Sequence, residues 1–252
     1  MMSDSRQLLV RSYAVTHPPN LHLGERVLED YNQLVYATRG VMTVTTATSQ
    51  WVVPTHRAVW IPAGTMHSVR MAGRVQLRTL YFKRGLGGRR VPRQCVAVQV
   101  SPLLRELIVE AARIGLLHDR PSEEQRLARV ILDQLERVPV APLRLPSPRD
   151  ERALRAARTI AGLPGRRDVL SVAARRAGAS RRTLERLFLA ETGMPLGRWR
   201  QRARLVAALQ LLAKGHAVTQ VALEVGYRTP SAFCASFKRE LGETPARYFA
   251  VH

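Results

Sequence analysis

The sequence is short of several residue types, and each shortage narrows the class of protein. Only two of its 252 residues are cysteines, Cys95 and Cys234, and their separation suits a reduced cytosol without a disulfide framework. No stretch approaches the roughly 18 consecutive apolar residues that a membrane span needs. The N-terminus also lacks an apolar run of signal-peptide length. We therefore expect a cytoplasmic protein that does not contact a membrane.

Acidic residues are scarce as well. Nineteen Asp and Glu face forty Lys and Arg, so the formal net charge is +21. A field of this sign attracts polyanions, of which DNA is the commonest in a cytosol. The excess is +9 over residues 1–95, zero over 96–150 and +12 over 151–252. This distribution indicates three functional segments and predicts a polyanionic partner.

Residues 34–82 contain short runs rich in Val, Thr, Tyr and Trp, such as QLVYATRG, SQWVVP and RAVWIP. Glycines and prolines, including Gly40 and Gly73, separate these runs. Short runs with closely spaced turn residues are typical of an all-β sandwich or barrel. We expect a β domain over residues 1–95.

Two amphipathic helices are predicted within the segment 96–138, inside the stretch 96–150 that has no net charge. Leu127, Val130, Ile131 and Leu135 follow the helical spacing in the second of them. This helix pair either forms a dimer interface or covers the β domain. The next stretch, PVAPLRLPSPR, has four prolines in eleven residues, which predicts a linker over 139–150.

The last hundred residues repeat one helical pattern. The first copy is VLSVAARRAGASRRTLERLFLAETGMP and the second is VTQVALEVGYRTPSAFCASFKRELGETP. Each copy has a turn glycine, a hydroxyl residue, two buried apolar residues and a second glycine. In order, these are Gly178, Ser180, Leu184, Phe188 and Gly193 in the first copy, and Gly226, Thr229, Phe233, Phe237 and Gly242 in the second. The second copy has one extra residue after its turn glycine.

Each of these residue types has a physical role. The first glycine takes the positive φ of a tight turn, and the hydroxyl caps the next helix. The second glycine suits a helix C-cap. The pattern predicts two helix-turn-helix motifs, whose second helices enter the major groove of DNA. The alternative is a helical bundle with a solvated basic face.

A single helix is predicted between the two motifs, over residues 196–213. At 1.5 Å rise per residue it would be about 27 Å long. Successive major grooves lie about 34 Å apart. A spacer of this length allows two recognition helices to enter successive grooves.

The segments ASRRTLERLFLAETGMPLGRW and VTQVALEVGYRTPSAFCASFKRELGETPARY are similar to motifs of a known family. Over their full length, residues 151–252 resemble the DNA-binding domain of the AraC/XylS family. The resemblance implies a seven-helix unit with two helix-turn-helix motifs joined by a long helix. It implies double-stranded DNA as a partner and makes RNA polymerase a candidate partner.

Residue roles carry over where the motifs align. The resemblance implies base-edge contacts from Arg182, Glu185 and Arg186 in the first recognition helix. Arg186 suits guanine O6 and N7, and Glu185 suits cytosine N4. In the second helix it implies contacts from Ser231, Ala232 and Ala235, which are small and favour thymine-methyl contact or shape reading. Phosphate contacts are expected from Arg181, Arg228, Lys238 and Arg239, although each could be an ordinary surface charge.

The N-terminal runs resemble the cupin-like sensor domain found in many members of that family. RAVWIPAGTMHSVRM and LRTLYF carry this similarity. It implies an α+β multidomain fold, with a small-molecule effector in the N-terminal barrel. The helix pair within 96–138 is the predicted interface of a homodimer. The effector pocket is expected to include Glu29, Tyr36, Trp60 and His67, and each aromatic residue could instead be core packing. One carboxylate and one imidazole make a thin metal site, so we expect no metal and no cofactor.

The sequence thus predicts an effector-responsive transcription regulator that is not an enzyme. It leaves open whether transcription rises or falls. Two other functions remain open: a metalloenzyme that uses the cupin barrel, and an architectural DNA binder without an effector. The enzyme hypothesis lacks a complete ligand set, a nucleophile with a base, or a phosphate loop.

Overall fold

A computed structural model describes residues 8–55, 57–88, 91–119, 122–137 and 144–249. The chain divides into two units. The N-terminal unit contains Met1–Val44 and Val53–Ala141, and the C-terminal unit contains Thr45–Val52 and Pro142–His252. The C-terminal unit therefore includes a short segment from the first half of the chain.

Strands dominate the N-terminal unit and helices dominate the C-terminal unit. The strands are β1 (Leu8–His17), β2 (His22–Arg26), β3 (Tyr31–Thr46), β4 (Ser49–Val53), β5 (Arg57–Ile61), β6 (His67–Lys83), β7 (Val96–Gln99), β8 (Leu116–His118) and β9 (Arg144–Pro146). The helices are α1 (Pro102–Ile114), α2 (Glu123–Arg137), α3 (Glu151–Gly162), α4 (Val169–Ala177), α5 (Arg181–Thr192), α6 (Leu196–Ala213), α7 (Val218–Glu224), α8 (Pro230–Leu241) and α9 (Pro245–Phe249). None of the helices in the described ranges is both long and apolar enough to cross a membrane.

The N-terminal sheet has the strand order β7-β5-β3-β6-β1-β8, with β2 beside β6. The strand pairs whose register is known are antiparallel; for example, Val10 lies opposite Phe82 and Leu34 lies opposite Trp60. Side chains of one sheet face pack with α1 and α2 into a buried hydrophobic cluster. This arrangement confirms the predicted fold class of an antiparallel N-terminal sheet with a helical C-terminal region. Closure of the sheet into a cupin-like barrel stays a prediction.

Two glycines that were expected to separate strands lie inside longer ones. β3 continues through Gly40 and β6 continues through Gly73, and both glycines have a positive φ, +85° and +79°. A Cβ atom on Gly40 would lie 2.4 Å from the carbonyl oxygen of Arg74. Glycine at position 40 therefore allows a close approach of two backbones within the sheet rather than a chain reversal.

Helices α1 and α2 each bury one face, and α2 buries only part of the set that the spacing suggested. Leu104, Ile108 and Ala111 face the core, together with Ile131 and Leu135. Val130, which was expected on the buried face of α2, is exposed.

The predicted domain boundaries stay predictions. Strand β7 starts directly after residue 95 and pairs with β5, opposite Arg57–Trp60. Of the predicted linker, residues 139–143 lie outside the described residues. The linker's next residues form β9, in which Leu145 pairs with Gln50 of β4 within the C-terminal unit.

The C-terminal unit contains seven helices in its described part, α3 to α9. The pairs α4–α5 and α7–α8 are the two predicted helix-turn-helix motifs, and α6 spans the predicted 196–213. The Phe188 and Trp199 rings meet edge to face at 5.3 Å and attach α5 to α6. A second aromatic series, Phe233, Phe237 and Tyr248, joins α8 to α9. Such edge-to-face ring pairs add about 0.5–1.5 kcal/mol beyond their burial.

Gly40→Ala is expected to destabilise the protein by about 1–3 kcal/mol or more. An alanine is strained at the positive φ of this position, and its methyl group would collide with the carbonyl oxygen of Arg74. Gly24→Ala is the matched control, since no atom lies within 4 Å of its added Cβ. Thermal unfolding of the full chain measures both. Equal melting temperatures for the two variants would contradict the close backbone approach at Gly40.

Candidate nucleic-acid interface

The first helix-turn-helix turn has the geometry that its residue types require. Gly178 takes a left-handed φ of 62°, and the Ala179 N–H donates to the carbonyl oxygen of Ala174. The Ser180 hydroxyl accepts from the Thr183 N–H at 3.1 Å. Helix α5 therefore starts with a satisfied backbone donor and leaves α4 at a fixed angle.

The second turn is longer by one residue, and Tyr227 accounts for that length. Its N–H donates to the Ala222 carbonyl, and its hydroxyl lies 2.8 Å from the Ser236 hydroxyl of α8. Its ring packs edge to face on Phe233 at 5.3 Å. Thr229 then caps α8 by accepting from the Ala232 N–H at 3.2 Å. The extra residue in the second copy was the only sequence signal of this contact.

All ten residues that were predicted to contact DNA are exposed. On α5, Arg182 and Arg186 are four residues apart and share a face, while Leu184 and Phe188 are buried behind them. On α8, Ser231 and Ala235 share an exposed face opposite the buried Phe233 and Phe237. Both second helices thus present a solvent-facing surface of the predicted residues. Their roles in DNA contact stay predictions.

Two of the residues that were predicted to contact DNA form an ion pair with each other. The Arg181 Nε lies 3.0 Å from the Glu185 Oε1, and both side chains are more than half exposed. Exposed pairs of this kind contribute little stability, typically under about 1 kcal/mol. Glu185 and Arg181 can therefore separate at little energetic cost when a base or a phosphate is presented to them.

Two arginines of α6 that the sequence analysis did not single out bind backbone rather than solvent. Arg200 donates to the carbonyl oxygens of Arg166 and Arg167, and Arg204 donates to that of Pro164. Burial and the nearby charges of Arg204 and Arg181 lower the pKa of Arg200. These contacts hold the loop between α3 and α4 against α6, which orients the first motif.

The structure divides the four predicted effector residues into two pairs. Tyr36 and Trp60 lie in the hydrophobic cluster under α1 and α2, and the Trp60 Nε1–H donates to the Pro92 carbonyl. Burial raises the pKa of Tyr36, and the charge of Arg105 partly offsets this effect. Glu29 lies elsewhere, with its carboxylate near Gly64 in the turn that leads to His67.

His67 is buried, and both of its ring nitrogens have partners. Nδ1 lies 2.9 Å from the Thr65 carbonyl oxygen, so it carries the proton, and Nε2 accepts from the Arg26 Nε–H at 3.3 Å. Burial and the Arg26 charge lower the pKa of His67, so the neutral form dominates at pH 7. No group of three or more His, Cys, Asp or Glu within the described ranges is arranged to hold a metal ion.

Comparison with known proteins agrees with this geometry. The profile of a family described as a helix-turn-helix domain matches residues 173–250. The HTH-type transcriptional regulator NimR of Escherichia coli K12 is 35% identical over 218 residues, which covers 86% of this chain and 79% of NimR. The regulator RipA of Corynebacterium glutamicum is 36% identical over 122 residues, which covers 48% of this chain and 35% of RipA.

A crystal structure of ToxT from Vibrio cholerae O395 aligns over 98% of both chains, at 12% identity and a TM-score of 0.40.

Two capped helix-turn-helix motifs with exposed basic second helices define a DNA-binding transcription regulator. The chain belongs to the AraC/XylS family of helix-turn-helix transcriptional regulators.

Proposed function

We propose that this regulator is effector-responsive and binds its operator by inserting α5 and α8 into successive major grooves. The observation that carries the proposal is that α6 is a single 18-residue helix that contacts both motifs, through Phe188 of α5 on Trp199 and Ser236 of α8 on Gln201. Its length of about 27 Å is close to the groove repeat of about 34 Å. A spacer of this length would allow the two recognition helices to enter successive grooves.

The two recognition helices contribute differently to this proposal. Arg182, Glu185 and Arg186 supply long polar side chains that reach base edges, and Arg186 suits a bidentate contact with guanine. Ser231, Ala232 and Ala235 are short, so α8 contributes mainly shape reading and thymine-methyl contact. Arg181, Arg228, Lys238 and Arg239 would contact phosphates on either side. RNA polymerase remains a candidate partner of the bound complex.

Arg186→Ala is expected to cost about 1–3 kcal/mol of specific binding and to relax one base position, because its guanidinium would no longer contact guanine. Selection of bound genomic fragments followed by competition binding measures this change. Lys238→Ala is the comparison variant and should weaken operator and unrelated duplexes alike. If the wild type and Arg186→Ala each bound all DNA sequences with the same affinity, Arg186 would be removed from the proposed base contacts.

The effector site is proposed on the sheet face opposite α1 and α2. Side chains alternate along β3, so Gln33 faces away from the cluster that contains Leu34 and Tyr36. Gln33 is buried, and its Nε2 donates to the Thr79 hydroxyl at 2.9 Å and to the Tyr81 hydroxyl at 3.3 Å. The side-chain oxygen of Gln33, Oε1, is buried and has no hydrogen-bond partner within the described residues. A bound polar molecule would supply one.

Effector binding predicts that a small molecule stabilises the protein, by about 2.7 kcal/mol at one hundred times its Kd. A thermal-shift screen of a metabolite library measures this. Gln33→Leu should abolish the shift, since it removes the hydrogen-bonding group. Tyr36→Phe is the control and should retain the shift, because Tyr36 lies in the opposite core.

A library that never stabilises the wild type would instead favour the effector-independent architectural binder. A shift that Tyr36→Phe removes and Gln33→Leu retains would move the effector site to the other side of the sheet.

A homodimer through the helical segment is also part of the proposal. Leu103, Leu107 and Ile114 lie along one stripe of α1, and Leu103 and Ile114 are 55% and 37% exposed. Val130 of α2 and Leu116 beside α1 are exposed as well. Apolar side chains that gather on one surface are typical of protein interfaces.

Leu103→Lys is expected to convert a dimer into a monomer, because it places a charge on the apolar stripe. Sedimentation velocity at micromolar concentration measures the change. Leu223→Lys, at an exposed leucine of α7, is the matched control and should stay dimeric. A monomeric wild type at this concentration would count against the dimer.

We propose further that the protein acts in the cytoplasm and is not an enzyme. Both nitrogens of His67 are engaged in hydrogen bonds, so the residue best placed to be a cupin metal ligand is already satisfied. A stoichiometric transition metal in the purified protein would revive the metalloenzyme alternative.

A further inference from the structure

A basic groove lies between α6 and α8 in the C-terminal unit. Arg198, Gln201 and Arg202 of α6 line one side, Arg239 and Glu240 of α8 line the other, and the volume between them is about 590 Å³. Three guanidinium groups thus face a single carboxylate. We infer that this groove binds a phosphate group, and this inference rests on the proposed DNA-binding function.

The walls of the groove are held at a fixed separation. The Arg202 Nε lies 3.3 Å from the Glu240 Oε2, and these side chains are only 16% and 13% exposed. One turn earlier in α8, the Ser236 hydroxyl accepts a hydrogen bond from the Gln201 amide at 2.9 Å, and that hydroxyl also contacts Tyr227. These links join α6 to α8 through the protein's own side chains, so the two walls of the groove are fixed relative to each other.

The two remaining arginines supply the charge that a phosphate would meet. Arg198 and Arg239 are exposed, and neither is ion-paired in the part of the chain that the structure describes. A guanidinium group presents parallel N–H donors that match two oxygens of one phosphate. Glu240 is already engaged with Arg202, which lowers its repulsion of an incoming anion.

The position of Arg239 favours the DNA backbone as the source of that phosphate. Ser231, Ala235 and Arg239 follow one another at four-residue intervals, so Arg239 continues the exposed face of α8 that is proposed to enter the major groove. The same residue lines the groove beside Arg198. A phosphate at the edge of the major groove would meet both side chains.

Backbone contacts at this place would also compensate for the small base-facing residues of α8. Serine and alanine side chains offer few hydrogen bonds to base edges, whereas phosphate contacts supply affinity without sequence preference. The groove would let the second motif bind firmly while the first motif discriminates between sequences.

The test is the salt dependence of DNA affinity for the full chain and its Arg198→Ala variant. Each phosphate contact contributes about 0.9 to the slope of log K against log salt concentration. Arg198→Ala should reduce the slope by about that amount and weaken operator and unrelated duplexes by the same factor. Arg70→Ala, an exposed arginine of β6 with the same charge change, should leave the slope unchanged.

A second arm separates the DNA backbone from a free phosphorylated molecule. Inorganic phosphate and pyrophosphate are titrated calorimetrically into the DNA-free wild type and into Arg198→Ala. Binding that Arg198→Ala removes, with the DNA slope unchanged, would assign the groove to a small phosphorylated ligand.

The inference is overturned when Arg198→Ala changes neither the salt slope of DNA affinity nor the binding of phosphate and pyrophosphate, and the double variant Arg198→Ala with Arg239→Ala changes neither as well. It is equally overturned when Arg70→Ala lowers the slope as much as Arg198→Ala, since net charge alone would then explain the loss. A wild type that binds operator and unrelated duplexes equally would count against the proposed function. The difference in salt slope between Arg198→Ala and Arg70→Ala would still test whether the groove binds a phosphate.

Discussion

The hydrogen-bonded backbone of α6 is the constraint on which the C-terminal unit depends. Residues on almost every side of this helix are buried, among them Trp199, Leu205 and Ala208. Phe188 attaches the first motif to it, and Gln201 attaches the second through Ser236. Because an α-helix bends little over 18 residues, both motifs pack against one stiff element of the chain.

Charge is distributed around α6 according to what each arginine contacts. Arg200 and Arg204 donate to backbone carbonyls between α3 and α4, so they act as structural cross-links. Arg198 and Arg202 point to the α8 side, where a groove remains open to solvent. The arginines of α6 therefore fall into two groups, one that cross-links the backbone and one that lines the groove. The sequence alone does not distinguish the two groups, because the difference lies in the atoms that each side chain contacts.

The helix-turn-helix motifs could be predicted from the sequence because their signals are local. Gly178, Ser180, Gly226 and Thr229 each satisfy a requirement of the backbone within a few residues, and the bounds of α6 followed from its uninterrupted composition. Tyr227 was not anticipated, because its partners Ser236 and Phe233 lie on another helix.

The sheet was harder to anticipate because strand pairing is non-local. In the sequence, Gly40 is indistinguishable from a turn residue. Its actual role depends on the nearby carbonyl oxygen of Arg74, which belongs to another strand. Side chains alternate along β3, so Tyr36 and Gln33 lie on opposite faces of the sheet. Which of the two faces is covered by helices follows only from the strand register, which the sequence does not give. For this reason a candidate pocket that combined Tyr36 and Trp60 with Glu29 and His67 spans two separate environments.

Strand β3 crosses from the N-terminal unit into the C-terminal one, since the division falls between Val44 and Thr45. The edge of β9 is paired by β4, a segment from the first half of the chain, and Leu145 is buried there. A truncated fragment that starts at residue 142 would lack that partner strand and expose an apolar, unpaired edge to other molecules. Such a fragment contains both helix-turn-helix motifs but lacks the strand that pairs with β9.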